Sequence, residues 1–81
     1  MLRPISITEE EMGWLEDASE VYEDDKESPE TSKIVFYLLK RTLESATRTE
    51  KGYTLYPVTS TERTTILDVL SEWRELEVEN A

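Results

Sequence analysis

Twice in this chain a β-branched aliphatic residue and a threonine are followed, three positions after the threonine, by a glutamate: Ile7-Thr8 with Glu11, and Val58-Thr59 with Glu62. In such a capping box the threonine hydroxyl accepts a hydrogen bond from the glutamate amide, and the carboxylate returns to the threonine amide. Two helix starts are thereby fixed near residues 8 and 59. After the first, Met12, Leu15, Ala18 and Tyr22 recur at helical spacing with Trp14 and Val21 beside them, which predicts a helix over about 8–23. Gly13 inside it costs roughly 1 kcal/mol relative to Ala, so compensating packing or a close neighbour is expected there. After the second box, Ile66, Val69, Leu70 and Trp73 form one face, predicting a helix to about Leu76, with 77–81 as a frayed tail. An offset of 51 superposes the two patterns, and shared capping and amphipathicity account for that without a repeat.

Between the two lies a stretch without any apolar residue, Glu23-Asp24-Asp25-Lys26-Glu27-Ser28-Pro29. It reads as a solvated loop ending in an N-cap serine and a first-position proline. From Glu30 onward Ile34, Val35, Leu38, Leu39, Thr42, Leu43 and Ala46 recur at three and four, and Phe36 and Tyr37 widen the stripe over most of the girth. That pattern predicts a central helix, with Gly52 as its C-terminal cap. Residues 52–58, Gly-Tyr-Thr-Leu-Tyr-Pro-Val, are β-prone and aromatic, and fit either an extended piece or one irregular turn. The expected fold is mainly α: one domain over 1–81, a small bundle of three long helices with a short aromatic turn or strand between the second and third. The alternative is α+β, with Arg3–Ile7 and Tyr53–Val58 paired as two short strands.

Composition narrows function. With 81 residues, no His and no Cys, the chain has no disulfide framework, no thiolate or imidazole metal site and no Ser-His or Cys-His couple. A folded surface of roughly 5,000 Å² leaves little room for a buried cleft. Exposed carboxylate pairs such as Glu16/Glu20 and Glu72/Glu75 read as solvating residues, and neither an enzyme nor a cofactor is expected. No apolar run approaches membrane-spanning length and the N-terminus lacks a signal-peptide layout, so a cytoplasmic location is expected.

Nineteen acids against nine bases give a net charge of −10, which repels nucleic acid and anionic membranes and attracts cationic proteins. The charge is segregated. Residues 1–30 carry eleven acids and two bases, residues 31–58 two and five, and residues 59–81 six and two. The acidic loop lacks the alternating ligands and central glycine of a calcium loop, so no metal is expected there. Glu23, Asp24, Asp25, Glu27 and Glu30 are instead candidate contacts for a basic protein, alternatively a plain solvated run. Trp14, Trp73, Tyr22, Phe36 and Tyr37 are expected in the core. Tyr53 and Tyr56, in the irregular segment, are candidates for an interface as much as for the core. Lys33, Lys40, Arg41 and Arg48, placed on the second helix, are expected to pair with acids on the other helices.

Several residues also resemble the colicin and pyocin DNase immunity proteins: Ile5-Ser6, then Thr8-Glu9 and a further Glu before Met12; Tyr56-Pro57; and Ile66, Val69 and Trp73-Arg74 in the last helix. The resemblance implies a small acidic four-helix protein whose third helix is one turn bearing tyrosines. It implies neutralisation of a basic nuclease by binding beside its active site, with Tyr56 an interface tyrosine and Pro57 the turn terminator. The chain differs in having Leu55-Tyr56 in place of a tyrosine pair, in lacking a His-Pro-Ser-Gly run, and in a basic second helix. The functions that follow are an acidic protein-binding inhibitor, a DNA mimic or anti-defence protein acting on a basic host protein, or a self-associating module in which the acidic first segment meets the basic second helix of another copy.

Overall fold

The computed structural model of the protein describes residues 2–80. Its element order is β1 (Ile5–Thr8), α1 (Glu9–Asp24), α2 (Pro29–Glu44), β2 (Thr47–Arg48), β3 (Gly52–Leu55) and α3 (Ser60–Asn80). The architecture is mainly helical with a small antiparallel sheet, not a clean three-helix bundle. The pairing proposed as the alternative fold is present in shorter form: Ile5 faces Leu55, Ser6 Thr54, Ile7 Tyr53 and Thr8 Gly52. A third strand, β2, adds to the other edge of β3 through Thr47–Thr54 and Arg48–Tyr53, so the strand order is β1-β3-β2.

Thr8 ends β1 and starts α1 in a single residue. Its hydroxyl accepts from the Glu11 amide at 3.1 Å and its own amide donates to the Glu11 carboxylate at 3.0 Å, the complete capping box. Met12, Leu15 and Ala18 are buried along α1, whereas Val21 is 57% exposed. A methyl group placed on Gly13 would meet nothing within 4 Å, so the close neighbour expected there is absent and the glycine is unexplained by packing.

Pro29 opens α2, but the Ser28 side chain makes no capping bond. Asp25 takes over: one carboxylate oxygen accepts from the amides of Glu27 at 2.9 Å and Ser28 at 3.4 Å, and the other accepts from the buried Ser32 hydroxyl. Only one side of α2 is covered. Leu39 and Thr42 are buried, while Ile34 is 63% and Tyr37 56% exposed, so the wide apolar stripe does not make a helix buried all round. The helix ends at Glu44, where the Ser45 amide donates to the Arg41 carbonyl. Gly52 therefore does not cap it.

Residues 47–55 turn back as a hairpin, closed by the Thr49 amide on the Gly52 carbonyl at 2.8 Å. Gly52 is required there by the neighbouring strand: a Cβ on it would fall 2.1 Å from the Ile7 carbonyl oxygen. Ile5, Ile7 and Leu55 turn their side chains to the core, where they meet Met12, Leu15, Ala18, Leu39, Ile66, Val69 and Leu70. Trp14, Tyr22 and Trp73 pack at the core's margin, half-buried.

At its start α3 meets the end of α2 through Glu62, and further on it reaches α1 through Arg74, whose guanidinium donates to Glu11 at 2.8 Å. It thus lies across the α1–α2 pair. The helix continues past Leu76 to Asn80, and Glu77, Val78 and Glu79 contain no breaker; Ala81 lies outside the described residues. Residues 74–79 are exposed throughout. The resulting body is a plate of 37 × 34 × 17 Å with 5864 Å² of surface, about 800 Å² more than its mass requires.

Candidate functional site

The three ion pairs among the described residues all lie towards the sheet end of the molecule. Arg41 donates to Glu62 at 2.5 Å, Arg74 to Glu11, and Arg48 to Glu9. Arg48 does this from β2 and not from α2, because the helix has already ended. Contrary to expectation, Lys33 and Lys40 form no ion pair among the described residues. Their ammonium groups lie over rings four positions away on the same helix, 6.0 Å from Tyr37 and 5.8 Å from Phe36.

Glu62 is the polar residue that sequence reasoning missed. It is 1% exposed, and its carboxylate accepts from Arg41, from the Thr42 hydroxyl at 2.8 Å and from the Val58 amide at 3.2 Å. The Thr59 hydroxyl accepts from the Glu62 amide at 3.1 Å, but the carboxylate returns to Val58 and not to Thr59. The second capping box is thus half-made, its acid diverted to pin α2 to α3. Burial pushes the Glu62 pKa up, yet the hydrogen bonds from Arg41, Thr42 and Val58 together with the Arg41 charge outweigh it and hold the pKa below the ordinary glutamate range.

At the opposite end of α1 the acids stand alone. Glu16, Asp17, Glu20, Glu23, Asp24, Glu27 and Glu30 are exposed, and none forms an ion pair among the described residues. Some of this charge serves the fold. Asp25 organises the turn, and its pKa is lowered first by the Ser32 hydroxyl and then by the Glu27 amide. Glu27 and Glu30 lie at the positive end of the α2 dipole. Glu23 and Asp24 have no such role. They occupy the last turn of α1, which contains no base, and like charge at that negative dipole end costs about 0.3–1 kcal/mol per residue.

Tyr53 and Tyr56 do not join this edge. The α1 helix alone, 16 residues long, puts about 24 Å between its two ends, and Tyr53 pairs with Ile7 at the sheet end. Its hydroxyl accepts from Arg48 at 2.7 Å and the guanidinium lies 5.3 Å from its ring centre, so a Tyr53–Arg48–Glu9 chain fastens the hairpin to α1. Tyr56 follows the strand and is 45% exposed.

The aromatics beside the acidic loop are ones expected in the core. Tyr22, Phe36 and Tyr37 line a shallow groove with Glu23, Asp25, Pro29 and Lys33. Burial raises the Tyr22 pKa, helped by the carboxylates of Glu72 and Asp25.

Among the described residues no group of three or more acids converges closely enough to hold a metal ion, and no helix is long and apolar enough to cross a membrane. No protein family, characterised protein or solved structure matches the chain.

Proposed function

We propose that the protein is a non-catalytic inhibitor or adaptor that docks the acidic edge formed by residues 16–30 onto a basic protein surface. One observation carries the reading. Arginines pair with Glu9, Glu11 and Glu62, while residues 16–30 make no ion pair among the described residues, although acids in the last turn of α1 oppose folding. The edge bears eight acids and one base between residues 16 and 30, enough to steer association with a cationic partner. Inhibition of a basic nuclease, as the resemblance to immunity proteins implies, is the particular form favoured.

The test is an affinity capture with the full chain and with a Glu16→Lys/Glu20→Lys/Glu23→Lys variant, released by stepped salt. The reading expects basic proteins retained by the native chain, eluted by salt and lost with the variant. Identical sets on both would overturn it. A DNA mimic is the second form, supported by the row Glu16, Glu20, Glu23, which rises by about 6 and about 4.5 Å along one helix. Its affinity would fall steeply with salt and resist replacement of any single aromatic residue, whereas an aromatic-anchored inhibitor would depend on one.

A further inference from the structure

We infer that the groove between the end of α1 and the start of α2 is a receptor for an arginine side chain of the basic partner, held between the rings of Tyr22, Phe36 and Tyr37 and the carboxylates of Glu23 and Asp25. The inference deepens the docking reading given above and rests on it.

Three features of the groove select that occupant. Its walls are aromatic yet only partly covered: Tyr37 is 56% exposed, and Tyr22 and Phe36 are half-buried. The Phe36 and Tyr37 ring centres are 5.6 Å apart with planes inclined at 56°, so the rings offer faces in two directions. A cation already uses one of them, the Lys33 ammonium 6.0 Å above Tyr37. Ring faces attract cations electrostatically, and a shallow, half-dry site strengthens that attraction over open water.

The rim supplies charge in a fixed position. Asp25 is immobilised by the Glu27 and Ser28 amides and the Ser32 hydroxyl, so its carboxylate loses little further freedom when a cation arrives. Glu23 stands beside it without an intramolecular ion pair among the described residues. A guanidinium suits this combination better than an ammonium. It is planar, more weakly hydrated, and can stack on a ring while donating two parallel hydrogen bonds to the Glu23 carboxylate, with Asp25 adding charge beside it. Lys33 is then an internal competitor, since its ammonium covers a face that an incoming arginine would use.

The test titrates the isotopically labelled full chain with hexa-arginine and, separately, hexa-lysine at low salt, following amide and aromatic resonances. The arginine peptide should bind roughly two- to five-fold more tightly and shift the Tyr22, Phe36 and Tyr37 ring signals. Tyr37→Leu leaves the net charge unchanged and should abolish the preference. Lys33→Gln should raise the affinity for hexa-arginine more than Lys51→Gln, which removes the same charge from the distant hairpin. Equal affinities of the two peptides, or a preference that survives Tyr37→Leu, would overturn the groove. If both peptides shift residues 16–30 equally, the acidic edge still stands while the arginine receptor fails. If neither peptide shifts those residues, both readings fail together.

Discussion

Replacing Glu62 removes the one carboxylate that joins α2, α3 and the turn before α3, and its partners set the size of the effect. One oxygen accepts from Thr42 and the other from Arg41 and the Val58 amide. In Glu62→Gln the amide oxygen can keep Arg41 and Val58, and the new NH2 can donate to the Thr42 hydroxyl, which still has the Leu38 carbonyl to donate to. What disappears is the charge assistance, the difference between a charged and a neutral hydrogen bond, about 1–2 kcal/mol. Glu62→Ala removes every acceptor and opens a void, so the loss rises to about 3–4 kcal/mol, the lower half of the range for breaking a buried pair because the Arg41 side chain is 58% exposed and can rehydrate. A domain this size has about 4–12 kcal/mol in total.

The same residue sets an acid limb of stability. Because its folded pKa lies below the ordinary value of 4.5, its contribution is complete above that value and is lost as pH falls through the folded pKa. The gap between the native chain and Glu62→Gln should therefore be widest near neutral pH, shrink as pH falls below 4.5, and close only below the lowered folded pKa, where the native side chain is itself neutral. Urea unfolding followed by the fluorescence of Trp14 and Trp73, at pH 7 and in steps down to pH 3, measures both effects as midpoint shifts at constant slope. Glu62→Ala within 1 kcal/mol of the native chain, or a Gln gap independent of pH, would refute the reasoning.

Other perturbations act at single positions. Gly13→Ala should stabilise by about 0.5–1 kcal/mol, since nothing obstructs the added methyl, and a raised thermal midpoint checks it. Gly52→Ala should cost at least about 1–3 kcal/mol by forcing β3 away from the Ile7 carbonyl; loss of amide protection across the β1–β3 ladder is the diagnostic. Thr8→Ala removes the cap of α1 and should lower stability by about 1 kcal/mol in urea unfolding. Glu23→Lys should raise stability by about 0.3–1 kcal/mol in low salt, less in high salt, while weakening capture of a basic partner.

The helices were legible because each begins with local chemistry. Thr8 and Glu11, Thr59 and Glu62, and Ser28-Pro29 mark three starts within two residues of those observed. The ends were harder to read. Nothing local distinguishes Glu44 as the end of α2, since the chain leaves the helix to pair Thr47 and Arg48 with Thr54 and Tyr53, contacts made across a hairpin. Gly52 shows the same limit: its need for a missing side chain comes from Ile7, 45 positions earlier. In the sequence Glu62 is legible only as the acid of a capping box. Only the approach of Arg41 and Thr42 from another helix makes burial tolerable. Within the candidate site, the acidic loop was legible from composition alone. Its aromatic company was not, because Tyr53 and Tyr56 lie close to it neither in the chain nor in space, while the exposure of Tyr37 depends on α1 covering only one side of α2.

The most direct test of an unneutralised electronegative edge maps the potential residue by residue, by comparing how a cationic and an anionic nitroxide cosolute relax the amide protons of the full chain. The cationic probe should be enriched most strongly over residues 16–30 and least around the Arg48–Glu9 and Arg41–Glu62 pairs. A uniform ratio along the chain, or enrichment greatest at the sheet end, would contradict the account.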